Sequence, residues 1–274
     1  MRAVRSQDEQ VITQAELLQL LRVSDGAILI GGQALAFWVG YFRIAVAEGL
    51  RRFISGDADF LGFRWHVEAF SLALGGRAAY PSKRAITALY GVVMKQAIAG
   101  ERMGVDVLHA VVGIAAEDVR KRALDVHHPN DASARFKVME PIDCMVSRFE
   151  NLRTLADKQN EVGVWQARIS VAVCRAHLKN LIALGDERQA IRAANRIFAV
   201  AGAAAGLQAF GKHDIDLLDG IPIEDFATET FRDKQHTHMV ARIAMLRNAF
   251  QPPPDPTARA SGRQPVRHQK GHPR

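Results

Sequence analysis

The sequence predicts an α+β protein, with a mixed β-sheet flanked by helices over residues 1–139 and an all-helical part over residues 140–250. Three observations carry that expectation. Before residue 140, short apolar runs stop at Gly, Ser and Asp turn signals, as strands do. After it, apolar residues recur at helical spacing over long segments. Pro141 marks the change, because proline suits the first position of a helix, where a missing N–H costs nothing.

Each element follows from its own pattern. Residues 10–21 read as a short amphipathic helix carrying Val11, Leu17, Leu18 and Leu21. After the turn signal Ser24-Asp25-Gly26, the run AILI (27–30) fits a buried strand and stops at Gly31-Gly32. Residues 33–50 return to helical spacing through Leu35, Trp38, Phe42 and Val46. DADFLG (57–62) reads as the second strand, 65–74 as a helix and 75–83 as a loop. The stretch 86–114 predicts a β-hairpin whose turn lies at 99–101. Residues 115–126 read as a polar helix, His127-His128 as part of a loop before Pro129, and 134–140 as a further strand. From Pro141 the helical pattern runs to residue 158. Two long helices follow at 164–184 and 188–210, joined by Gly185-Asp186-Glu187, and shorter ones lie near 213–219 and 229–249.

Composition excludes some classes. Hydrophobic residues make up 48% and charged residues 24%, the range of an ordinary globular protein, and no apolar stretch approaches the roughly 20 residues that span a bilayer. The opening MRAVRSQDEQ has no apolar core of a secretory signal, and Cys144 and Cys174 form no CxxC pair. A reduced, cytoplasmic protein is the expectation, with no membrane partner. The formal charge of +7 is uneven: residues 251–274 carry five Lys/Arg against one Asp and six of the ten prolines. That basic, Pro-rich tail is expected to be disordered, serving either to track a phosphate backbone or only to solubilise the chain.

Chemistry concentrates at one pair of carboxylates. In a strand, residues i and i+2 share a face, so Asp57 and Asp59 point together. Like charges that close repel unless a cation lies between them. Either the pair lies in solvent at a turn, or it holds a hard divalent ion such as Mg²⁺, which takes a carboxylate or two plus substrate phosphates. Gly31-Gly32, between a strand and a helix, is either a tight turn or a place where the backbone approaches a phosphate closely. Asp106 is a lone acid in the apolar segment MGVDVLHAVVGI, so it either ends a strand in solvent or completes the Asp57/Asp59 site as a third carboxylate. The second DxD, Asp214 and Asp216, lacks a preceding Gly turn and reads as a helix N-cap region on a solvated face.

The stretches LIGGQALAFW (29–38), SGDADFLG (55–62) and VDVLHAVVGI (105–114) together resemble the nucleotidyltransferase superfamily with the polymerase-β-like core. With EPIDCMVSRFENL (140–152), the pattern looks most like bacterial AbiEii-type toxin nucleotidyltransferases. The resemblance implies that Gly31 and Gly32 cradle the β- and γ-phosphates of an NTP. It implies that Asp57, Asp59 and Asp106 hold Mg²⁺, and that Arg148 and Lys158 bind phosphate from the helical part. By residue pattern alone, Arg148 also reads as pairing with an acid such as Asp143 or lying in solvent, and the Asp143, Ser147, Asn151 face as lining the cleft or facing outward. The resemblance further implies NMP transfer to an RNA, tRNA or protein hydroxyl, and a cognate antitoxin as partner. The chain departs from the pattern at Gly32, where many relatives carry Ser, and at Arg148, where many carry Lys. Those departures motivate one alternative, a catalytically silent binding protein of the same fold; a nucleotidyltransferase acting on a small molecule such as an antibiotic is a further one.

Overall fold

The computed structural model describes residues 12–46, 57–96, 102–128 and 131–250. Val11, the hairpin turn at 99–101 and the basic tail lie outside them. Among the described residues the chain is α+β, built on a seven-stranded mixed sheet of order β3-β4-β5-β2-β1-β7-β6. The strands are β1 (Ile28–Ile30), β2 (Ala58–Leu61), β3 (Arg77–Ala79), β4 (Leu89–Gln96), β5 (Arg102–Leu108), β6 (Leu124–His128) and β7 (Asp131–Val138). β1 runs antiparallel to β2 and parallel to β7, and β2 runs parallel to β5. The expected hairpin is present as the antiparallel pair β4–β5.

Helices α1 (Gln14–Arg22), α2 (Gly31–Tyr41), α3 (Arg64–Leu74) and α4 (Ala116–Arg122) belong to this part of the chain. α1 starts four residues later than its apolar pattern suggests. Thr13 accepts from the Glu16 amide and the Glu16 carboxylate accepts from the Thr13 amide, a reciprocal cap that fixes the first turn. α2 stops at Tyr41 rather than continuing toward residue 50, because Phe42 leaves helical geometry and Arg43 turns left-handed at φ 53°. Two further expectations are corrected. The loop at 75–83 contains the edge strand β3, and the polar helix at 115–126 ends at Arg122. Residues 124–128 then alternate half-buried and exposed side chains along the edge strand β6, so His127 and His128 lie in a strand.

From Pro141 onward every described element is helical. α5 (Pro141–Thr154) begins with Pro141 in its first turn, as expected, and gives way to a 3₁₀ turn at Ala156–Lys158. α6 (Glu161–Ala183) and α7 (Glu187–Ala201) are capped by Asn160 and Asp186, whose side chains accept from the amides of Gly163 and Gln189. The long helix expected at 188–210 is two, since α7 ends at Ala201 and α8 (Ala204–His213) follows. A π-helical turn (Thr230–His236) leads into α9 (Thr237–Ala249). Among the described residues no helix is long and apolar enough to cross a membrane.

Two apolar cores result. One lies on the sheet under α1, α2 and α3, around Phe60, Phe70, Val105 and Val107; the other lies among α5 to α9, around Phe149, Ile197, Phe198 and Phe231. α6 serves both, with Val173 in the first and Cys174 and Leu178 in the second. Trp38 of α2 ties the sheet to the start of α5 by donating Nε1–H to the Met139 carbonyl at 2.8 Å. Buried acids reinforce the joint: Arg196 of α7 donates to both oxygens of Glu140 at 2.7 and 3.0 Å and to Asp143, while Arg122 of α4 reaches Asp143 at 3.0 Å.

Candidate functional site

The acidic positions converge because of register. β2 and β5 are parallel neighbours, with Asp59 directly opposite Asp106 and the end of β1, Ile30, opposite Asp59 on the other side. Alternation sends Ala58, Phe60, Val105 and Val107 into the apolar core on one face. The opposite face carries the aspartates. There a cavity of about 170 Å³ is lined by Gly31, Asp57, Asp59 and Asp106 from the sheet side. Ser147, Arg148 and Asn151 of α5 and Lys158 of the following 3₁₀ turn line it from the helical side. Thus six of the seven site residues expected from the sequence meet in one cavity. Gly32 is buried in α2 and is not among the residues that line it.

Gly31 has two reasons to be glycine. Its φ of +70° lies in the left-handed region, and a Cβ there would collide with Asp59 Oδ2 and come within 3.0 Å of the Asp59 Cβ. The turn therefore makes room for a carboxylate, a role distinct from close approach to phosphate. Burial, then the neighbouring charges of Asp106 and Asp57, push Asp59 up to about 6 against the opposing pull of Arg148 and Lys158. Burial likewise lowers the Arg148 guanidinium, with the Asp59 charge acting the other way. Arg148 donates Nη1–H to Gln166 Oε1 of α6 at 3.0 Å, so it neither pairs with Asp143 nor lies in solvent. Nothing in the sequence singled out Gln166.

The Asp143, Ser147, Asn151 face divides. Eight residues along an α-helix rotate the side chain by about 80°. Asp143 accordingly faces Arg122 and Arg196, while Ser147 and Asn151 reach the cavity. The sequence also gave no sign that Ala88 and the segment at 110–112 would close the cavity beyond β5. The second DxD has structural roles. Asp214 caps the C-terminus of α8, and Asp216 caps the 3₁₀ turn Leu217–Gly220 while pairing with Arg247 of α9, so that face is not merely solvated.

Among the described residues, no three His, Cys, Asp or Glu side chains are already grouped to hold a metal ion. The donor set nevertheless fits a hard, oxygen-ligated cation. Asp59 and Asp106 are adjacent across two strands, Asp57 shares their cavity, and Asp59 is raised first by burial and then by the neighbouring Asp106 and Asp57 charges, so a cation there would favour its charged form. Opposite them stand one guanidinium and one ammonium, suited to an anionic ligand. No protein-family model, curated protein or solved structure matches this chain.

Proposed function

We propose that this chain is a magnesium-dependent nucleotidyltransferase that moves NMP from an NTP to an acceptor hydroxyl. The observation that supports the reading best is the single cavity that carries aspartates from two adjacent strands on one wall and Arg148 and Lys158 on the other. Asp57, Asp59 and Asp106 would hold Mg²⁺, which when bound supplies a Lewis acid for the phosphates. Arg148 and Lys158 bind and orient the triphosphate by charge-assisted hydrogen bonds. The acceptor hydroxyl oxygen forms a bond to the α-phosphorus, and the bond from that phosphorus to the bridging α–β oxygen breaks. Pyrophosphate leaves with that electron pair, and the hydroxyl proton passes to Asp106. The acceptor class (RNA, a tRNA end or a protein), the role as a toxin and the antitoxin partner rest on the sequence resemblance alone.

A second reading, a silent binding protein of the same fold, is motivated by the departures at Gly32 and Arg148 from the pattern the chain resembles. One assay separates them. Protein is incubated with Mg²⁺, each NTP labelled at the α-phosphate in turn, and total RNA or none, beside the double variant Asp57→Ala/Asp59→Ala. Label entering RNA or protein with the wild type alone is the expected result. Label in a small molecule only would select the antibiotic-type alternative. Nucleotide binding without any transfer would select the silent fold, and equal transfer by the double variant would remove the carboxylate assignment.

A further inference from the structure

Two side chains that line the carboxylate cavity each carry a buried polar atom with no hydrogen-bond partner among the described residues, and the two atoms are of opposite kinds. The atoms are Asn151 Oδ1, an acceptor, and Arg148 Nε, a donor. They sit three residues apart on α5, so they are neighbours on one helix surface, with roughly 5–6 Å between their Cβ atoms. A buried polar group without a partner carries a penalty that a ligand removes when it supplies the missing half. The ligand that satisfies this pair carries a hydrogen-bond donor a few ångströms from an anionic acceptor.

In a nucleotide that combination belongs to the sugar: a ribose hydroxyl is the donor and a phosphate oxygen the acceptor, whereas the exocyclic groups of the base lie farther from the phosphates. We propose that Asn151 accepts a hydrogen bond from a ribose hydroxyl while Arg148 Nε donates to the adjoining phosphate, so that the site selects ribonucleotides over their deoxy counterparts. This rests on the nucleotidyltransferase reading and adds the sugar class to it. Ser147, only 4% exposed and one helical turn before Asn151, walls the same pocket and limits the room beside the sugar.

The test is equilibrium binding of ATP, 2′-deoxy-ATP and 3′-deoxy-ATP, with Mg²⁺, to the wild type and to Asn151→Ala, with thermal unfolding of both proteins in parallel. Losing a hydrogen bond to a buried, otherwise unpartnered carbonyl corresponds to about tenfold in affinity. The wild type is expected to bind ATP about tenfold more tightly than one of the two deoxy analogues. Asn151→Ala is expected to bind ATP with the affinity of that analogue, while its preference among sugars disappears and its melting temperature is kept. Equal binding of all three nucleotides by the wild type overturns the inference, and that comparison needs no variant to fold. A sugar preference that survives in Asn151→Ala also overturns it, while leaving nucleotide binding intact. Failure of the wild type to bind any nucleotide removes the nucleotidyltransferase reading itself, and this inference with it.

Discussion

At the scale of single residues, burial sets the charge states that matter. Asp59 is pushed up to about 6 by desolvation and by two neighbouring aspartates, so its negative charge is costly until a cation or substrate-bound cation shares it. His177 of α6 shows the opposite case. Burial, and then the Arg196 charge, lower it to about 4, and its Nε2 lies 3.9 Å from the Glu140 carboxylate. A histidine lowered from 6.5 to about 4 is neutral in the fold at pH 7. The unfolded chain binds a proton that the folded chain refuses between those values. Its contribution is therefore fully present above pH 6.5 and is lost as pH falls toward 4, by roughly 3 kcal/mol in total. Denaturant unfolding of the wild type and of His177→Leu at pH 7 and pH 4.5 checks this. The variant is expected to lose less stability over that interval, and equal losses would show that His177 does not titrate with folding. Asp143, raised by burial, contributes with the opposite sign in both proteins, so the comparison cancels it.

At the scale of elements, the helical side of the cavity depends on a glycine that never touches it. Lys158 sits on the 3₁₀ turn between α5 and α6, and a Cβ at Gly163, near the start of α6, would strike the Lys158 carbonyl. The close approach of that helix start to the turn is what holds Lys158 at the cavity mouth. Gly163→Ala is therefore expected to displace the turn and weaken nucleotide binding by about tenfold, the loss of one charge-assisted hydrogen bond. Lys158→Ala should lose a similar amount, and the double variant little more, because both act through one contact. Additive losses in a binding titration would mean that Gly163 positions something else. Element boundaries show the same dependence on neighbours. The run from Ala201 to Gly206 reads as continuous helix because alanine has the highest helix propensity. Yet α7 and α8 part there, and a Cβ on Gly206 would run into the Val200 carbonyl, so the small residues serve a tight corner. The edge strand β6 was hidden for a different reason. Its period-2 pattern, Leu124, Val126 and His128 against Asp125 and His127, follows directly on a helix rich in charge.

At the scale of the whole molecule, α6 and the Arg122–Asp143–Arg196–Glu140 group join the sheet core to the helical core. A helix whose residues complete two cores cannot leave one without exposing the other. Tryptophan fluorescence reports largely on the sheet side, where Trp38 is in the core and Trp165 packs against it, while far-ultraviolet circular dichroism reports largely on the helices after Pro141. The two signals are expected to give one coincident thermal transition. Separate midpoints would show that the cores unfold independently. Strands and helices together before residue 140, and helices after it, were legible from local pattern, because apolar period and turn residues are local properties of the chain. The sequence also marked Asp57, Asp59 and Asp106 as unusual, since carboxylates in apolar strands are rare enough to notice. The pairing of Asp59 with Asp106 across β2 and β5, the room that Gly31 makes for a carboxylate, and the arrival of Arg148 and Asn151 of α5 at the same cavity emerge from the folded chain alone. Those facts depend on strand register and helix rotation. Contacts between residues dozens of positions apart set both, and no local pattern records them.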